Sequence, residues 1–382
     1  MSLFDRLAET WSGLFPARSN LEQHIAVFGE SGSGKTTLLS VFYGYQQARE
    51  FRKTAGYSLL ATATGQGNKL LEAYYNIEKK LVPPFTRFQH SIFDFQIKAE
   101  GVNNSVGTVV WHDYPGEWWT ETVEGDEEQR RRIAFRALMQ SDVAFLLVDG
   151  KKLAEHGATY VKKLLANFRD FLDRERKVLL DDQDAFQTFP RIWTICLSKA
   201  DLFPDHDVEW FRKQVLTAAR SEIDDLSEAI MGFIPEKKRE SLSFGEDFLL
   251  LSSAKFEPTT NQIVDPTKTI GVDQITPLGC LSLMRHIHSW VNKKKVAVKT
   301  AHGAGELLRA ATTHWMKWIP IVGRFFQLLD EVAKGQTDSL NKTQEKAKER
   351  GDHVMHVVVS FERRIREAEA NGIYLSGDLI RS

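Results

Sequence analysis

"AVFGESGSGKTTLL", residues 26–39, decides the fold. An apolar run, residues 24–28, has the composition of a short buried strand. Next comes Gly29-Glu30-Ser31-Gly32-Ser33-Gly34-Lys35-Thr36, the pattern G-x-x-x-x-G-K-[ST], and residues 36–50 then read as a helix. Three glycines let the backbone turn so that successive N–H groups point inward. The helix start behind them adds a partial positive charge, and both features suit phosphate oxygens. Lys35 is placed to reach terminal phosphates, and the Thr36 hydroxyl, followed by Thr37, to hold Mg²⁺. The loop alone does not name the base.

Composition narrows the class. The 382 residues suffice for one large domain or two modest ones, and 42% hydrophobic with 26% charged residues describes an ordinary globular chain. A net charge of −1 gives no basic field for nucleic acid, so no nucleic-acid partner is expected. Cys196 and Cys280 lie in apolar contexts without metal-ligand spacing, which suggests buried thiols in a reducing compartment. The N-terminus lacks the pattern of a signal peptide, and no uncharged apolar run is long enough to span a membrane. The expected location is the cytoplasm.

Working outward, residues 106–112 read as a mostly buried strand ending in Asp113-Tyr114-Pro115-Gly116. A carboxylate there can hold the water shell of Mg²⁺, and a glycine three residues on can offer its N–H to a γ-phosphate. Residues 191–197 form another β-type run, ending in Ser198-Lys199-Ala200-Asp201. It resembles the guanine-reading [NT]-K-x-D motif, with Ser198 replacing the usual Asn or Thr. The Asp201 carboxylate would accept from guanine N1–H and N2–H, and the Lys199 stem would cover the base plane. Residues 247–252 are a further buried run, leading to Ser253-Ala254-Lys255, which resembles the S-A-K loop whose Ala254 N–H would meet guanine O6. Four motifs in the expected order, each after a strand, identify residues 22–295 as similar to the GTPase superfamily of P-loop proteins, with a Ras-like or translation-factor-like G domain. The "DYPGEW" stretch, residues 113–118, is also similar to bacterial P-loop GTPases of the YcjX-like kind.

The resemblance implies GTP or GDP as ligand, Mg²⁺ held by Thr36, Asp113 and a switch I threonine, and slow hydrolysis that changes the protein's shape. Residues 91–99 alternate like the strand that hairpins into the Asp113 strand, which points to Thr86 just before them; Thr62 and Thr64 are alternatives. Lys35, Thr86, Gly116 and Glu117 form the expected catalytic set. Glu117 stands where many relatives carry glutamine and reads either as water-positioner or as a structural residue of switch II. Trp118 and Trp119 read as an apolar switch surface, and Arg130, Arg131 and Arg132 as a solvated helix face.

Strands alternating with helices imply a mostly parallel, three-layer α/β domain with insertions. An inserted strand and helix occupy residues 58–82. Further helices are expected at 127–140, within 151–184, at 207–230 and at 277–294, with a strand at 142–150. Residues 296–382 read as helices only. Residues 1–21 form a separate element: Leu3, Phe4, Leu7, Trp11, Leu14 and Phe15 fall within a helical arc of roughly 120°. This stripe either docks on the G domain or the C-terminal helices or, with the aromatic residues 315–326, contacts a membrane surface or an unidentified effector protein. Two alternatives to a hydrolysing switch are a nucleotide-holding scaffold and an ATPase using the same loop.

Overall fold

The computed structural model describes residues 21–81, 91–114, 116–119, 125–180, 185–186, 192–234, 236, 239, 242–257, 262–294, 319–333, 340–349, 351–368 and 372–374. The first strand, β1 (Leu21–Phe28), shows why a three-layer fold forms. Leu21, Ile25 and Val27 enter one apolar cluster, while Ala26 and Phe28 enter a second on the opposite face. Alternating side chains point to opposite faces of a sheet, so a strand buried on both sides reads as continuously apolar.

The other strands are β2 (Tyr57–Ala61), β3 (Ser91–Ala99), β4 (Ser105–Asp113), β5 (Val143–Asp149), β6 (Ile192–Ser198), β7 (Ser243–Leu250), β8 (Lys255–Phe256), β9 (Ile263–Asp265) and β10 (Ile373–Tyr374). Eight form one sheet in the order β10-β7-β6-β5-β1-β4-β3-β2, and β8 pairs with β9 separately. The five strands β7, β6, β5, β1 and β4 run parallel. The hairpin β3–β4 and the edge strand β2 are antiparallel. Asp149 sits level with Ser198, and Leu197 with Leu250, so the carboxyl ends of the parallel strands share one edge. Ligands of such sheets bind along that edge.

The helices are α1 (Lys35–Gln47), α2 (Arg49–Ala55), α3 (Thr64–Glu78), α4 (Asp126–Met139), α5 (Gly150–Leu180), α6 (Val208–Met231), α7 (Ile275–Lys294), α8 (Ile319–Ala333), α9 (Leu340–Glu349) and α10 (His353–Ala368). Apolar residues of α1, α7, α8 and α10 cover one face, and those of α4, α5 and α6 the other. The helix expected over residues 36–50 is two helices, because Ala48 is extended (φ −60°, ψ 137°). Helices α1 and α3 approach so closely that a Cβ on Gly44 would stand 2.1 Å from the Tyr74 ring.

The C-terminal helices join this core. Val357, Val358, Val359, Phe361 and Ile365 of α10 are fully buried, each contributing about 1.5–3 kcal/mol. Phe361 meets Tyr57 edge-on at 4.9 Å, and the Arg364 guanidinium lies 4.8 Å from the Phe51 ring. The helices-only reading of residues 296–382 is corrected at one place. Ile373–Tyr374 adds an antiparallel strand to β7, with Ile373 opposite Leu249 and Tyr374 opposite Phe248. Two residues carry no measurable period, so this pairing rests on an available sheet edge.

Candidate nucleotide site

The phosphate loop leaves β1 at Gly29. Gly32 (φ 79°) and Gly34 (φ 91°) take the left-handed conformation that side chains disfavour. Gly34 precedes the first turn of α1, which holds no acidic residue. Lys35 is buried, and its ammonium donates to the carbonyls of Gly29 (2.7 Å) and Glu30 (3.0 Å). Phosphate oxygens would be stronger, charged acceptors for it.

Asp113 ends β4 beside this loop, and its Oδ2 accepts from the Thr36 hydroxyl at 3.4 Å. Its Oδ1 is buried without a hydrogen-bond partner among the described residues. Burial pushes the Asp113 carboxyl up to about 6, against the opposing pull of the Lys35 ammonium and the hydrogen bonds from Thr36 and the Tyr114 backbone. A buried carboxylate with one unpartnered oxygen could serve as a cation ligand. Tyr114 also ties the segments together, since the Gly29 N–H donates to its hydroxyl at 3.1 Å and the Lys35 ammonium lies 5.4 Å from its ring. Gly116 lies against the loop itself. A Cβ there would stand 2.3 Å from the Ser31 nitrogen and 2.5 Å from the Glu30 carbonyl carbon.

The second half of the site lies at the ends of β6 and β7. Lys199 is left-handed (φ 55°), and its ammonium donates to Asp149 Oδ2 at 2.7 Å. Ser198 is buried and donates to the Val148 carbonyl at 3.3 Å. Asp201 Oδ1 accepts from the Ser252 hydroxyl at 2.6 Å, and Oδ2 from the Phe256 N–H at 2.8 Å. A carboxylate offers about four acceptor positions, so two oriented ones remain for a base. Ala254 is buried, Ser253 half-buried and Lys255 exposed, the last beginning β8.

The structure thus brings the loop residues 29–37, Asp113 and Gly116 together, and groups Ser198, Lys199, Asp201 and residues 253–255 at the same sheet edge. Thr86 and the helix at residues 2–15 lie outside the described residues. Thr62 follows β2, and Thr64 begins α3; both are exposed. The backbone of Glu117 lies in a short 3₁₀ turn, Gly116–Trp119. Trp118 overturns the surface reading: it is fully buried in the cluster beneath α4, α5 and α6, and its indole N–H donates to Glu127 at 3.0 Å. Arg131 pairs with Glu175 and Arg132 with Glu128, while Arg130 is exposed.

Sequence reasoning missed Tyr114, Asp149, Lys152, Tyr160 and Ser252. Lys152 reaches the Glu30 carboxylate at 2.6 Å, and the Tyr160 hydroxyl accepts from the Asp149 N–H at 3.1 Å. One signal was available: Asp149-Gly150 closes an apolar strand at the ligand-binding edge, as Asp113 does. A Cβ on Gly150 would meet the Ser198 carbonyl oxygen at 2.5 Å, so that glycine admits the Ser198–Lys199 backbone.

Comparison with curated proteins finds no match. Among solved structures, the chain is similar to sup35 complexed with GDP at 10% identity and a TM-score of 0.24, covering 67% of this chain and 45% of that one. It is also similar to a member of an oligomerised bacterial dynamin pair described as sensing and tethering membranes, at 14% identity and a TM-score of 0.28, covering 91% of this chain and 52% of that one. The chain spans about half the length of these structures. The family profile of Double-GTPase 2 matches residues 23–231, which include the phosphate loop, Asp113, Gly116 and Asp201. With more than half of its length matched, the chain belongs to the Double-GTPase 2 family of P-loop GTPases.

Proposed function

We propose that this protein binds GTP with Mg²⁺, hydrolyses it slowly and serves as a nucleotide-dependent switch. The observation that carries the reading is the meeting of Thr36, Asp113 and Gly116 at the phosphate loop. The unpartnered Asp113 Oδ1 and the Thr36 hydroxyl are hard oxygen donors, as Mg²⁺ requires. Among the described residues, no group of three or more His, Cys, Asp or Glu side chains is placed to hold a metal, so phosphate and water would complete the shell. When bound, the ion would neutralise phosphate charge.

The chain's own residues supply the rest. Lys35 leaves the loop carbonyls for the phosphates, and Asp201 accepts from the guanine edge. The Gly116 N–H faces the γ-phosphate, with Thr86 closing from switch I. Water, oriented by Glu117, forms a bond to the γ-phosphorus while the bond to the β–γ bridging oxygen breaks. The products are GDP and inorganic phosphate. Catalysis of this type rests on positioning and charge more than on covalent steps. The closeness of Gly116 to the phosphate loop, and the anchoring of its turn to α4 by buried Trp118, support this reading.

The switch acts in the cytoplasm and in peripheral contact with a membrane or an effector protein, through residues 2–15 and 315–326. In the second stretch Ile321, Val322 and Phe325 are buried, so contact falls to its other residues. Among the described residues no helix is long and apolar enough to cross a membrane.

Single-turnover hydrolysis of GTP, with Mg²⁺ or with chelator, tests the proposal. Mg²⁺-dependent phosphate release is expected, with tryptophan fluorescence differing between GDP and a non-hydrolysable GTP analogue. Release no faster than without protein would replace the switch by a nucleotide-holding scaffold. Equal competition by ATP would remove the guanine assignment.

A further inference from the structure

Two ion pairs flank the site without a role in the reading above. Asp149 ends β5 almost fully buried, its Oδ2 accepting from the Lys199 ammonium at 2.7 Å and its Oδ1 from the Lys151 N–H at 2.9 Å. On the phosphate side, Lys152 reaches the Glu30 carboxylate at 2.6 Å. Tyr160 joins the two. Its hydroxyl accepts from the Asp149 N–H at 3.1 Å and lies near the Glu30 carboxylate. Burial, with those carboxylates nearby, holds the phenol well above its usual range, so the proton stays in place. In an unbroken helix, positions eight apart are separated by about 12 Å along the axis. A break at Gly157 (φ 58°, ψ −144°) interrupts α5 between Lys152 and Tyr160 and turns both toward Glu30.

We propose that Asp149 is a positioning residue for nucleotide binding, holding the Lys199 ammonium so that the lysine stem covers the base plane in register with the phosphate loop. This rests on the assignment of Ser198, Lys199 and Asp201 to the base. A free lysine would lose rotamer freedom whenever a nucleotide bound. The Asp149 carboxylate fixes the side chain beforehand, and the Tyr160, Glu30 and Lys152 contacts tie that corner to the loop gripping the phosphates. The two ends of the ligand are then read by one connected unit.

The test is a double-mutant cycle on the full chain with Asp149→Asn, Lys199→Ala and both, titrated with GDP and separately with inorganic pyrophosphate. Asp149→Asn should weaken GDP by about tenfold, the scale of a lost charge-assisted bond. Pyrophosphate binding should stay within about twofold, because that probe uses only the phosphate loop. In the Lys199→Ala background, Asp149→Asn should cost no more than about twofold, since residues acting as a unit are not additive. Unchanged GDP affinity in Asp149→Asn, equal losses for both probes, or additive losses would overturn the proposal. Should Asp149→Asn fail to fold, Asp149→Glu keeps the charge and displaces it by one methylene. Loss of GDP with pyrophosphate kept would support the role, and unchanged GDP affinity would refute it. Wild-type protein that binds pyrophosphate but no GDP would instead remove the base-site assignment, and this role with it.

Discussion

Replacing Asp113 by asparagine should stabilise the ligand-free protein while abolishing its Mg²⁺-dependent nucleotide binding. Burial raises the Asp113 carboxyl to about 6 from an ordinary 3.8. The folded state therefore takes up the proton more readily than the unfolded chain does, and ionisation opposes folding. The cost is absent below about pH 4, grows as pH rises to 6, and is complete above that. At 1.36 kcal/mol for each unit of difference, it reaches about 3 kcal/mol at pH 7.5 and about half that at pH 5. Asparagine keeps the shape and has no charge to bury. A globular chain of this length unfolds with an entropy near 0.8 kcal/mol/K, so 3 kcal/mol corresponds to a rise in Tm of about 4 °C. The amide brings a donor of its own that needs an acceptor, which makes this the upper end.

The assay is urea unfolding of both proteins in chelator without nucleotide, at pH 7.5, 6 and 5. The variant's midpoint should exceed that of the wild type by most at pH 7.5, and the gap should narrow with acidification. A gap that is zero at pH 7.5, or independent of pH, would refute the reasoning. In the same preparations, GDP affinity should rise with Mg²⁺ for the wild type and show no such rise for the variant.

Two other outcomes follow from contacts at the site. Gly116→Ala places a methyl where the Ser31 nitrogen and Glu30 carbonyl carbon stand at 2.3 and 2.5 Å, so it should destabilise the ligand-free protein by about 1–3 kcal/mol. It should also lower single-turnover hydrolysis at least tenfold, and wild-type rates in stopped-flow phosphate release would contradict this contact. Asp201→Asn exchanges one acceptor oxygen for a donor amide, so XDP should gain on GDP by at least about tenfold in competitive titration; an unchanged ratio would mean that this carboxylate does not face the base.

The parts of the site that sequence disclosed are those confined to one short segment. Gly32, Gly34, Lys35 and Thr36 are fixed by the local needs of a phosphate loop, and the parallel core by apolar runs such as residues 143–149. Contacts between segments left no such mark. The Lys199–Asp149 pair joins residues 50 positions apart; the strand-end position of the aspartate could be read, but not the lysine it would meet. Trp118 suggested a surface because it follows a switch glycine. Its burial depends on the cluster it shares with apolar residues of α4 and α5, whose orientation no local pattern reports. Strand β10 was hidden for another reason: Ile373 and Tyr374 pair because β7 offers an edge.

Three carboxylates line the same sheet edge, and their partners divide the labour among them. Asp149 faces an ammonium and a backbone N–H, so its charge is matched within the protein. Asp201 has one donor on each oxygen, enough to fix its plane while leaving acceptor positions outward. Asp113 is the exception, with a long contact to Thr36, a hydrogen bond from the Tyr114 backbone, one unpartnered oxygen and a carboxyl raised by burial against the pull of Lys35. Burying a negative charge with so few partners is costly, and a divalent cation would relieve it. On the proposed function, nucleotide binding would then depend on an ion at Asp113, on base geometry at Asp201 and on lysine placement at Asp149. Each dependence is carried by a different carboxylate and can be removed separately.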